Sequence, residues 1–147
     1  MKTLHYSITI HAPRQVVWDT MLQPETYPTW TAGFCEGSHY EGSWEKGASI
    51  LFLGPNGEGM KSVIEENRPL EHISIRHLSC FTKEKEDAMT GPVFENYTFR
   101  EVDGGTELIV DMDCFGGYEA MFEETWPRSL ELLKALCESK SSGKSRS

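Results

Sequence analysis

A short alternating segment, Leu4 to Ile10, runs straight into His11-Ala12-Pro13 and then Val16-Val17-Trp18, and this junction restricts the fold more than any other stretch. Leu4, Tyr6, Ile8 and Ile10 share one face of an extended chain while His5, Ser7, Thr9 and His11 share the other, the period of a half-buried strand. Pro13 ends it, because proline donates no ladder hydrogen bond yet fits the first turn of a helix. Beyond it the apolar spacing changes: Val17 and Met21, then Trp18 and Leu22, lie four apart. One strand therefore feeds one short amphipathic helix, closed by Pro24.

The middle of the chain reads as strands in series. Phe34 to Trp44 places Phe34, Tyr40 and Trp44 on one parity, with Gly33, Gly37 and Gly42 as start, bulge and bend. Lys46-Gly47 turns the chain into Ala48–Leu53, an apolar run read as a strand for which both inward parities stay open. Pro55-Asn56-Gly57 is a turn signal, and Met60–Glu66 and Glu71–Ser79 follow as strands separated at Arg68-Pro69. Phe81 to Pro92, charged and long for a hairpin, reads as a solvated connection or a flap. Val93–Val102 then turns at Asp103-Gly104-Gly105 into Thr106–Phe115, with Leu108, Val110, Met112 and Cys114 inward.

After Gly116-Gly117 the helical period returns. Phe122, Trp126, Leu130, Leu133 and Cys137 form a stripe widened by Leu132 and Leu136. Pro127 inside that stripe predicts either a kink or a short turn ahead of the main helix. Strands followed by one closing helix indicate an α+β fold. The domain is expected over residues 1–139, and 140–147, made of Ser, Lys, Gly and Arg, as a disordered tail.

Composition excludes several classes. With 23 acidic against 14 basic side chains the net charge is −9 and the basic residues are scattered, so nucleic acid is not an expected partner. The four cysteines show no CxxC pair and read as buried free thiols rather than zinc ligands or a disulfide scaffold. Neither a signal peptide nor an apolar run of about 20 residues is present, so no membrane span is expected and a cytoplasmic location is the default.

The run ITIHAPRQVVWDTMLQPETYPTW resembles the opening of START-like (SRPBCC) proteins, whose first strand passes through Ala-Pro into a Val-Trp helix and a second short helix ending in tryptophan. Five further features are similar to the branch named for the activator of the heat-shock chaperone's ATPase (AHSA1-like). They are Glu45-Lys46-Gly47, Val63-Ile64-Glu65 before Pro69, Tyr97-Thr98-Phe99, Gly104-Gly105-Thr106 and Trp126-Pro127. The resemblance spans about residues 1 to 138 and implies a helix-grip fold. In it a curved antiparallel sheet of six to seven strands wraps a long C-terminal helix, and two short helices after the first strand close one end. It also implies an apolar cavity between sheet and helix that holds a lipid, polyketide or aromatic metabolite, with no cofactor or metal.

The inner faces and helix stripe carry Tyr40 and Trp44 together with the candidate ligand-binding residues Trp30, Phe34, Phe52, Met60, Ile75, Tyr97, Phe99, Met112, Phe122 and Trp126; aromatic and methionine side chains suit an adaptable apolar pocket. Core filling explains many such side chains equally well. If Glu71–Ser79 and Val93–Val102 form a hairpin centred near Glu86, His77 falls opposite Glu95, Ile75 opposite Tyr97 and Ile73 opposite Phe99. A carboxylate partner fixes a histidine's tautomer, so His77 and Glu95 are candidate catalytic residues, as a general base or an anchor for a ligand's polar end. A satisfied structural pair is the plainer alternative.

The other histidines lack metal-ligand spacing, and Asp111 and Asp113 read as a solvated strand face. The expected function is binding of a hydrophobic or aromatic small molecule. The alternatives are a polyketide cyclase or hydrolase-like enzyme using the His-Glu pair, and a chaperone-regulating interaction module.

Overall fold

In the computed structural model, residues 2–33, 36–114 and 119–145 are described. Seven antiparallel strands form one sheet in the order β1-β7-β6-β5-β4-β3-β2. They are β1 (Lys2–Ile10), β2 (His39–Gly42), β3 (Ser49–Leu53), β4 (Gly59–Arg68), β5 (His72–Phe81), β6 (Glu86–Val102) and β7 (Gly105–Cys114). Strands β2 to β7 run as a meander, and β1 closes the far edge by pairing with β7. Helices α1 (Arg14–Leu22) and α2 (Tyr27–Thr31) follow β1, and α3 (Glu119–Ser145) packs against β1, α1 and α2. This is the helix-grip arrangement that the resemblance implied.

Alternation puts the core on one face of the sheet. On β7, Thr106, Leu108, Val110, Met112 and Cys114 are buried, and on β6 Val93, Tyr97 and Phe99 join them. The parity of β3, open in the sequence, is decided by Ile50, which is buried, with Phe52 beside the core. Helix α3 contributes Trp126, Leu130, Leu133 and Cys137. Trp126 is the hub: its ring lies 6.0 Å from Tyr6, 6.1 Å from Tyr97 and 6.5 Å from Trp30. Its indole N–H donates to Met112 Sδ at 2.8 Å. Cys80, Cys114 and Cys137 are free thiols, and burial pushes the Cys137 thiol up to about 11, so it stays protonated and unreactive. Cys35 lies outside the described residues.

Three expectations are corrected. The stretch Phe81 to Pro92 is not a long loop: β5 reaches Phe81 and β6 begins at Glu86, leaving Thr82–Lys85 as a tight turn closed by Thr82 N–H to Lys85 O. Its charge is accommodated on a strand, since Glu86 bonds both Lys61 and Ser79 at 2.8 Å. Strand β2 is only four residues long, His39–Gly42, because Gly42 takes a φ of 127° and turns the chain before Trp44. Helix α3 is continuous through Pro127, so no separate short turn precedes it; Pro127 lies on the exposed side, with Trp126 and Leu130 beside it in the core.

The β1–β7 seam is tight at its turn. A Cβ on Gly105 would sit 2.1 Å from the Ile10 carbonyl oxygen, whereas one on Gly104 meets nothing within 4 Å and is opposed only by a φ of 79°. Gly105→Ala is therefore expected to cost about 1–3 kcal/mol by forcing the two strands apart. Gly104→Ala should cost less, about 1 kcal/mol of left-handed strain. Urea denaturation of both variants checks the order, and an equal loss would contradict the close approach.

Candidate functional site

A hydrogen-bonded row of polar side chains crosses the inner face. Ser62 Oγ on β4 lies 2.7 Å from His77 Nδ1 on β5, and His77 Nε2 lies 3.0 Å from Glu95 Oε1 on β6. Ser62 is 2% exposed and His77 5%, while the Glu95 side chain keeps 16%. Met112 on β7 stands opposite Glu95 and continues the row to Trp126 on α3.

Strand pairing explains the contacts. Ser62 is directly opposite His77, but the β5–β6 register is displaced by two residues from the expected one. His77 pairs with Val93, Ile75 with Glu95 and Ile73 with Tyr97. The cause is the turn, which lies at Thr82–Lys85 rather than near Glu86, and an irregularity makes up part of the difference: β6 has residues 89–92 where β5 has Leu78 alone between its paired positions. Leu78 bulges from β5 and is 44% exposed. A shift of two keeps every side chain on its own face, so His77 still reaches Glu95, on the diagonal.

Aromatic rings wall the His77 side. Tyr27 lies 5.0 Å from Tyr40, 6.3 Å from Phe52 and 6.5 Å from Trp44, and Phe52 lies 6.0 Å from the His77 ring. Helix α2 delivers Tyr27: Pro28 suits its first turn, Thr31 Oγ1 donates to Tyr27 O at 2.6 Å, and Thr26 Oγ1 donates to Thr20 O at 2.6 Å. The Tyr40 hydroxyl donates to Leu22 O and ties β2 to the end of α1. Burial raises the pKa of the Tyr27 phenol, and the nearby Glu95 charge raises it further.

The candidate residues divide between core and margin. Trp30, Ile75, Tyr97, Phe99, Met112 and Trp126 are 5% exposed or less and belong to the core. Phe52 and Phe122 are partly buried against it, and Met60 is half-buried opposite Phe52. Phe34 lies outside the described residues. Ser62 and Tyr27 are the members that sequence reasoning missed. Ser62 carries a faint signal, a small polar residue on the inward parity between Met60 and Ile64, whereas nothing periodic marks Tyr27.

A recess of about 460 Å³ lies elsewhere, between His11-Ala12-Pro13 and the Glu101–Gly105 turn. It is six residues along β6 from Glu95, roughly 20 Å away, and none of the candidates lines it. Among the described residues no group of three His, Cys, Asp or Glu side chains is placed to hold a metal ion. No helix there is long and apolar enough to cross a membrane.

Solved structures with the same fold are similar to the chain at low identity. DynU16, a protein of the dynemicin biosynthetic locus, superposes with a TM-score of 0.72 at 17% identity over 96% of this chain, which spans only 49% of DynU16. Protein MLL2253 of Mesorhizobium loti gives 0.75 at 15% identity, with 94% of this chain and 98% of that one covered. The Aha1 dimer of Colwellia psychrerythraea gives 0.72 at 16% identity, with 94% and 97% covered. No curated protein matches the sequence. The family model described as Activator of Hsp90 ATPase homolog 1-like protein matches residues 11–138, from the Ala-Pro junction to the end of the α3 stripe, and the chain belongs to that family.

Proposed function

We propose that the chain binds a small apolar or aromatic molecule on the inner face of the sheet, where Ser62, His77 and Glu95 meet the Tyr27–Tyr40–Trp44–Phe52 cluster. The hydrogen-bonded row itself carries this reading. A core of this size can be built from apolar side chains alone, and burying a serine, a histidine and a carboxylate costs stability even when they bond one another. Such a row among aromatic rings has the composition of a binding site, with few polar groups in an apolar wall.

One observation favours catalysis: serine, histidine and carboxylate form a hydrogen-bonded chain of the kind that activates a nucleophile. One other weighs against it, since Ser62 is 2% exposed and its hydroxyl is not open to a substrate. A cyclase or hydrolase-like role is thus the second reading. A chaperone-regulating role has less support. Among the described residues the exposed large apolar side chains are Leu78 on β5 and Met121 and Leu132 on α3, the last two about three turns apart.

A screen of lipids and aromatic metabolites by NMR on isotope-labelled protein tests the binding reading. Shifts are expected at Tyr27, Phe52, Glu95 and Met112. Shifts confined to outward residues, with none at Tyr97, Met112 or Trp126, would sink it.

A further inference from the structure

Resting on that binding site, we infer that its ligand carries a cationic amine, and that Glu95 rather than His77 is the group that meets it. A carboxylate only accepts, so His77 Nε2–H donates to Glu95 Oε1, and His77 Nδ1 is paired with the Ser62 hydroxyl. Both ring nitrogens are thereby used inside the row. His77 has no free nitrogen for a ligand, and it acts as a positioning residue that fixes the carboxylate.

The row is closed at Ser62, 2% exposed, and open at Glu95, whose side chain keeps 16% of its surface. Glu95 Oε2 has no hydrogen-bond partner among the described residues, and His77 is the only ion-pair partner of Glu95 there. One imidazole contact leaves the second carboxylate oxygen without a donor, and the Glu95 carboxylate lies near enough to the Tyr27 phenol to help raise its pKa. What the site lacks is therefore a donor to that oxygen. The cluster of Tyr27, Tyr40, Trp44 and Phe52, of which Phe52 lies against the His77 ring, favours a cationic donor, because aromatic rings attract cations. A net charge of −9 adds long-range attraction. Fatty acids and other anionic ligands are disfavoured by the same carboxylate.

Calorimetric titration with naphthylethylamine, naphthylethanol and naphthylacetate, which share one aromatic body, tests the inference. The amine is expected to bind about tenfold more tightly than the alcohol, and the carboxylate more weakly than either. Glu95→Gln should remove that preference while leaving alcohol affinity within about twofold, the neutral amide lacking only the charge. Glu131→Gln, an equal charge change at an exposed position on α3, should leave it intact. Equal affinities for the three, a preference for naphthylacetate, or an amine preference that survives Glu95→Gln overturns the amine assignment and leaves apolar binding standing. If none of the three binds while the wider screen yields ligands, the amine assignment alone falls; if that screen is also blank, both fall.

Discussion

Trp126→Ala is expected to destabilise the domain by about 3–5 kcal/mol, the range for removing a buried tryptophan from a packed core. Trp126 is 2% exposed and touches Tyr6, Trp30 and Tyr97, so its loss opens a cavity between α3, β1, β6 and α2 that these rings cannot jointly close. Its indole N–H to Met112 Sδ is lost as well. For a domain of this length the melting temperature should fall by roughly 10 °C, as differential scanning calorimetry would show. Trp126→Phe keeps much of the ring contact and should lose less than half as much. A loss below about 1.5 kcal/mol for the alanine variant, less than a typical large-to-small core substitution, would mean that the α3 stripe does not organise the core.

The Ser62–His77–Glu95 row separates stability from function. His77→Ala should cost about 2–4 kcal/mol, because it strands a mostly buried carboxylate and hydroxyl; partial access of Glu95 to water keeps the loss below the full penalty of a buried pair. Replacing the whole row, as Ser62→Ala with His77→Leu and Glu95→Leu, should be close to neutral or stabilising by up to about 4 kcal/mol, since no polar group is then left unpaired. The triple variant should fold and fail to bind every ligand found in the screen. Chemical denaturation and calorimetric binding on the same samples check both halves. A triple variant as unstable as His77→Ala, or one that binds normally, would assign the row to the scaffold instead of the site.

Much of the fold is legible along the chain because burial repeats with the period of each element. The alternation of Leu108, Val110, Met112 and Cys114 locates the inner face of β7, and the Trp126–Cys137 stripe identifies the core side of α3. The errors fall where neighbouring strands override local character. Residues 86–88 look like a solvated loop because they are charged or small, but Glu86 is held on the outer face of the sheet by Lys61 and Ser79, which lie on other strands. Phe34 to Trp44 looks like one strand because its aromatics share a parity, but the backbone at Gly42 turns the chain and Trp44 meets Tyr40 and Phe52 from beyond the strand.

The candidate site shows the same division. Parity alone places His77 and Glu95 on one face, since a shift of two residues leaves parity unchanged, and this much the amino-acid sequence determined. Register, partner and exposure were decided by the tertiary structure. The bulge at Leu78 and the extra residues in β6 set the diagonal contact, the β4–β5 pairing brings Ser62 to Nδ1, and α2 carries Tyr27 to the aromatic wall. Periodicity is a property of one segment and can be read from its own residues. A hydrogen bond between strands depends on how many residues each neighbour inserts, and no single segment holds that count.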